Sequence, residues 1–151
     1  MEGRSRIRRA QSCAADARDA ACEFHSAVAQ PNMTLVVFFC SAGYDLDILG
    51  AEMRRLFADV QVIGCTTAGE IGPEGYRDRS ISGASFPSDD FAAVCGRLDE
   101  LQQFESIRGQ SLAQDLMQRL ESLEPQAGAS NSFAFLLIDG LSVREEPVTR
   151  T

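Results

Sequence analysis

Three short runs, 34–40, 60–65 and 133–138, are mostly apolar and rich in β-branched and aromatic residues, and turn-forming residues bound each of them. Runs this brief and this apolar fit strands covered on both faces rather than strands with one face in water. Helical periodicity separates them. Residues 12–30 carry an alanine-rich stripe that includes Ala17, Ala21, Phe24 and Val28, and the stripe stops before Pro31. Residues 46–58 place Leu49, Met53, Leu56 and Phe57 on one face behind Asp45, a natural helix cap. Residues 111–124 open on a capping-box pattern, S-L-A-Q, and carry Leu112, Leu116, Leu120 and Leu123. Strands that alternate with helices predict an α/β fold. Its mixed sheet has parallel strands at about 34–40, 60–65 and 133–138, because a helical crossover favours parallel pairing. An antiparallel hairpin over 80–98 extends that sheet through the turn P-S-D-D at 87–90, and helices pack on it. The expected order is α-β-α-β-β-β-α-β.

Length and charge narrow the function. The 151 residues suit one domain able to bury a core without disulfide or metal staples. The net charge of -8 argues against a nucleic-acid surface, which needs clustered positive charge. All fourteen basic residues are arginines, and Arg4, Arg6, Arg8 and Arg9 crowd the start, so 1–11 reads as a disordered basic tail ahead of a domain at 12–151. No apolar run approaches the ~20 residues of a membrane span, and no leader follows Arg8-Arg9. Cys13, Cys22, Cys40, Cys65 and Cys95 are odd in number and widely spaced, as befits free thiols in a reducing compartment; a cytoplasmic protein is expected.

Enzyme signatures are weak. Cys40 or Cys65 could act as a nucleophile, but the only histidine, His25, belongs to a different element. Cys22 and His25 share a helical face, yet zinc needs three or four ligands and no second pair is suitably spaced. Gly64 and Gly69 have phosphate-loop spacing, but Glu70 stands where lysine is required. The chain therefore reads as a non-enzyme.

Three stretches carry a resemblance: V-V-F-F-C-S-A-G-Y-D at 36–45, G-C-T-T-A-G-E-I at 64–71, and L-I-D-G-L-S-V-R-E-E at 137–146. In this order they resemble the N-terminal part of the FIST domain, a sensory module of intracellular signal transduction. The resemblance implies a bacterial ligand-sensing domain that takes small molecules such as amino acids and passes their state to a signalling partner such as a histidine kinase. Some similar family members bind haem and sense nitric oxide. With His25 as the sole histidine, no cofactor is expected in this chain, and haem-based gas sensing is the first alternative. A cysteine-dependent enzyme is the second. The family's domain has a further C-terminal part, so the helix announced by Ser142 is expected to be cut short. The strand at 133–138 would then be an open edge inviting homo-oligomers.

All three motifs follow apolar strands, and ligands in open α/β sheets sit beyond the carboxyl ends of strands. The candidate ligand-binding residues are therefore Ser41, Thr66, Thr67, Gly69, Glu70, Asp139 and Ser142, with Glu70 or Asp139 meeting an amine. The competing reading makes the same residues strand-exit turns, with Ser142 as a helix cap.

Overall fold

Arginine-rich or not, the segment Arg8–Ser12 is a strand, β1, with Ala10 and Ser12 buried and Arg8 and Arg9 exposed. A computed structural model of the chain describes residues 6–151, so positions 1–5 of the expected tail lie outside the described residues. From Arg8 onward the expectation of disorder is corrected. The alternation of buried and exposed residues lets β1 lie along a sheet edge while Arg8 and Arg9 stay exposed, the Arg8 guanidinium donating to the Ala29 carbonyl.

The chain divides into two units, one running to Ala93 and the other spanning Val94–Thr151. The first continues with α1 (Ala17–Val28), β2 (Met33–Ser41), α2 (Leu46–Leu56), β3 (Gln61–Thr67), β4 (Glu70–Gly72), β5 (Gly75–Arg77) and β6 (Ile81–Pro87). Four strands form one sheet in the order β1-β6-β2-β3, and β4 and β5 form a separate two-stranded hairpin. Only β2 and β3 run parallel, in register from Leu35↔Gln61 to Ser41↔Thr67; β6 runs antiparallel to both β1 and β2. The protein is thus α/β with a mixed sheet, as its alternating pattern predicts.

One face of that sheet holds the core. Val36 and Cys40 of β2 and Ile81 of β6 meet Ala17, Ala20, Ala21, Phe24 and Val28 of α1 and Leu49 and Met53 of α2. The alanines lower the height of α1, so a helix can approach the sheet closely around Phe24, whose ring meets Phe57 edge-on with centroids 6.3 Å apart. Asp45 caps α2 as expected, accepting from the Ile48 N–H at 3.0 Å. The cap of α1 is Asp16, which accepts from the N–H groups of Arg18 and Asp19 at 2.8 and 3.2 Å. The helix therefore begins at Ala17, later than the stripe alone suggests.

Two expected strands do not form. The partner strand of the hairpin at 80–98 has no ladder, because β1 and β2 already occupy both edges of β6. The turn at 87–90 does form, with the Phe91 N–H donating to the Pro87 carbonyl at 3.1 Å. The run 133–138 is also unpaired. Its unit contains no strand among the described residues, only a 3₁₀ turn at Leu101–Gln103, α3 (Ser106–Leu123) and the short α4 (Glu145–Thr149). With no ladder to join, the run stays irregular, and Phe133 and Phe135 are left 86% and 54% exposed. Helix α3 starts ahead of the capping box and passes through Gly109, where an added Cβ would stand 2.9 Å from Thr151 Cγ2 and 3.0 Å from the Phe104 ring.

Candidate functional site

The parallel strands β2 and β3 end side by side, and the most distinctive motif of the sequence turns there. Ser41 and Thr67 are register partners at the ends of their strands. The chain then turns through Ala68 and Gly69 into β4, which brings Glu70 under the sheet edge. The residue is 1% exposed. Thr67 Oγ1 donates to Glu70 Oε1 at 2.7 Å, while the Ser80 N–H and Ser80 Oγ both donate to Oε2, at 3.1 and 2.9 Å. Among the described residues no ion pair reaches Glu70. A carboxylate this deep normally has a cationic partner or several donors, and here three neutral donors do that work.

Of the other candidates, Ser41 is buried in a strand-exit turn. Its N–H donates to the Ser80 carbonyl at 3.0 Å and its Oγ accepts from Gly43 at 3.1 Å. Thr66 is exposed. Gly69 lies beneath the ring of Tyr76, which occupies the space a Cβ would need. Asp139 and Ser142 belong to the second unit and form a turn of their own. Asp139 accepts from the Leu141 N–H at 2.9 Å, and its carbonyl accepts from Ser142 Oγ at 2.6 Å. Ser142 caps no helix, since α4 begins behind Arg144 without a side-chain cap. Thus Thr67 and Glu70 are brought into contact, Ser41 is tied to the same Ser80, and the remaining candidates take no part in these bonds.

Sequence reasoning missed three participants. Ser80 supplies two of the three donors to Glu70. Tyr76 covers the turn. Gln11, in a segment read as a tail, reaches the hairpin. Its Nε2 lies 3.4 Å from the Glu70 carbonyl, 3.3 Å from the Gly75 carbonyl and 3.4 Å from Ser80 Oγ, and its Oε1 accepts from the Glu74 N–H at 3.2 Å. The available signal was the alternation through Ala10, Gln11 and Ser12, hidden by the arginines before it.

The ionisable groups that sense Glu70 are themselves acids. Burial, then the Glu70 charge and Cys65, push the Cys40 thiol up to about 11. Burial likewise raises the Tyr44 phenol, whose hydroxyl donates to the Ala14 carbonyl at 2.8 Å. Tyr76 is raised chiefly by its hydrogen bond with Asp78, and Cys65 by burial. His25 packs against the Phe57 ring, centroids 4.8 Å apart. Among the described residues no three His, Cys, Asp or Glu side chains gather as metal ligands.

The Cys40 shift has a measurable consequence. The folded thiol holds its proton until about pH 11 whereas an ordinary thiol loses it near 9.0. Between those values the unfolded state binds fewer protons, so stability is full below pH 9 and falls as pH rises toward 11. The loss attributable to Cys40 is of order 2 kcal/mol. Urea titrations at pH 8 and pH 10.5 should show a smaller drop in Cys40→Ala than in wild type; equal drops would refute the assignment.

The family model described as the FIST N domain matches residues 34–151. No curated protein and no solved structure matches the chain. No helix among the described residues is long and apolar enough to cross a membrane.

Proposed function

The chain belongs to the FIST family of signal-transduction sensory domains, and from that premise we propose that it binds a small amine-bearing ligand, such as an amino acid, at Thr67 and Glu70 without performing chemistry on it. The single observation behind this reading is the buried Glu70 carboxylate at the carboxyl edge of the parallel pair, held by neutral donors alone. Because Glu70 is 1% exposed, an ammonium reaches it only when the turn beneath Tyr76 opens, and once there it would gain charge-assisted hydrogen bonds of roughly 1.5–3 kcal/mol each. The exposed Thr66 and the Ala68–Gly69 turn offer backbone and hydroxyl groups to the ligand's other end.

A binding role also suits the thiols. Cys40 and Cys65 are both shifted toward the protonated form, which leaves little thiolate for nucleophilic attack near neutral pH. His25, tucked against Phe57, offers neither thiol an oriented base. On this reading the protein is a cytoplasmic sensor without a cofactor, and a signalling partner such as a histidine kinase reads its ligand state.

Calorimetry with a panel of free amino acids and their decarboxylated amines tests the proposal. Glu70→Gln and Thr67→Val should each weaken binding about tenfold to a hundredfold, at 1.4 kcal/mol per decade. Both variants must first melt within a few degrees of wild type. Unchanged affinity in both would assign Thr67 and Glu70 a purely structural role.

A further inference from the structure

The hairpin formed by β4 and β5 has no ladder to the main sheet. Two-stranded hairpins this short are at best marginal by themselves. What holds this one is a set of side chains from β1 and β6. Ser82 Oγ donates to the Ile71 carbonyl at 3.1 Å, and the Gln11 amide spans Glu70, Gly75, Ser80 and the Glu74 N–H. The opposite side of the hairpin faces solvent, with Ile71 80% exposed.

The bonds around Gln11 form a chain with a direction. Ser80 Oγ gives its hydrogen to Glu70 Oε2 and accepts from Gln11 Nε2, while Gln11 Oε1 accepts from the Glu74 N–H at the hairpin tip. Gln11 Nε2 has two hydrogens and three acceptors within 3.4 Å, so its donors can redistribute without breaking the junction. A hydroxyl that donates to a charged acceptor becomes a better acceptor itself. Neutralising the Glu70 charge weakens that polarisation and, through it, the hold of Gln11 on Glu74.

We infer that Gln11 is a positioning residue that couples the charge state of Glu70 to the β4–β5 hairpin, so that an ammonium at Glu70 loosens the hairpin tip. Its meaning as a signal rests on the ligand reading above; the coupling itself does not. The experiment therefore uses no ligand. In the full chain, labelled with nitrogen-15, amide exchange at Glu74 and the side-chain amide resonances of Gln11 are compared across a double-mutant cycle of Glu70→Gln and Gln11→Ala. Gln11→Ala alone should speed Glu74 exchange about two- to tenfold, the worth of one hydrogen bond. Glu70→Gln should speed it at least about twofold when Gln11 is present and not at all when it is absent.

Ser80→Ala supplies the control. It removes the link between Glu70 and Gln11 but keeps the Gln11 acceptor for the Glu74 N–H, so Glu74 should stay protected and become blind to Glu70→Gln, and it serves equally if Gln11→Ala is too unstable to measure. Glu70→Gln acting equally in both backgrounds, or leaving Glu74 and the Gln11 amide unmoved, would overturn the coupling. A cycle that couples while calorimetry finds no ligand would leave the coupling standing and retire the ligand reading.

Discussion

Gly83→Ala is expected to cost the first unit about 3 kcal/mol or more and to lower its melting temperature by about 12 °C or more. Gly83 lies mid-strand in β6, paired with Ala10 on one side and Phe38 on the other. A Cβ there would collide with the Val37 carbonyl oxygen and stand 2.8 Å from Phe38 Cα and 3.0 Å from Phe24 Cζ. The first two are backbone atoms of the central strand, so no rotamer change relieves them. Separating β6 from β2 would open the middle of the sheet and expose the core around Phe24. A circular-dichroism melt settles the matter; a variant melting within about 2 °C of wild type would mean that the strands can part locally at little cost.

Glu70→Ala comes second in expected size. It leaves the Ser80 N–H, Ser80 Oγ and Thr67 Oγ1 without their acceptor. Each buried donor stranded this way costs about 1–3 kcal/mol, so a total near 3 kcal/mol is expected even if water recovers part of it. Glu70→Gln should cost only about 1 kcal/mol. Its amide oxygen can still receive both Ser80 donors, and its NH₂ can turn to Thr67 Oγ1, which accepts as readily as it donates. The contrast shows in urea midpoints of the two variants. If alanine is no worse than glutamine, the Glu70 bonds contribute little to the fold.

The core was readable because its signals are local. The stripe of α1, Asp45 at the head of α2 and the apolar runs of β2 and β3 each declare themselves within a few residues. The G-C-T-T-A-G-E-I motif was legible as a turn after a strand, whereas the hydrogen bond between Thr67 and Glu70 was not. What could not be read were relations settled by which partner takes a strand edge. The segment 91–98 looks like the natural mate of β6, but β1, distant in sequence, holds that edge. The run 133–138 has strand composition and finds no strand partner within its own unit. Ser80 and Gln11 escaped notice for a similar reason, since their roles depend on a hairpin folding back over a neighbouring strand.

The pairing of β1 with β6 also decides how the first unit answers a pull. Arg6 grips Asp89 at 2.7 Å and Asp90 at 2.8 and 2.9 Å, so the chain comes in and leaves at the same corner. From that corner the antiparallel ladder runs inward, from Arg8↔Ser85 to Ser12↔Ile81. Tension between the residues before β1 and those after β6 would first break the Arg6 clasp and then load the ladder one rung at a time. Strands opened in that manner peel like a zipper, at far lower force than strands sheared along their length. Traction on its two ends would therefore meet this ladder before it reached the core around Phe24.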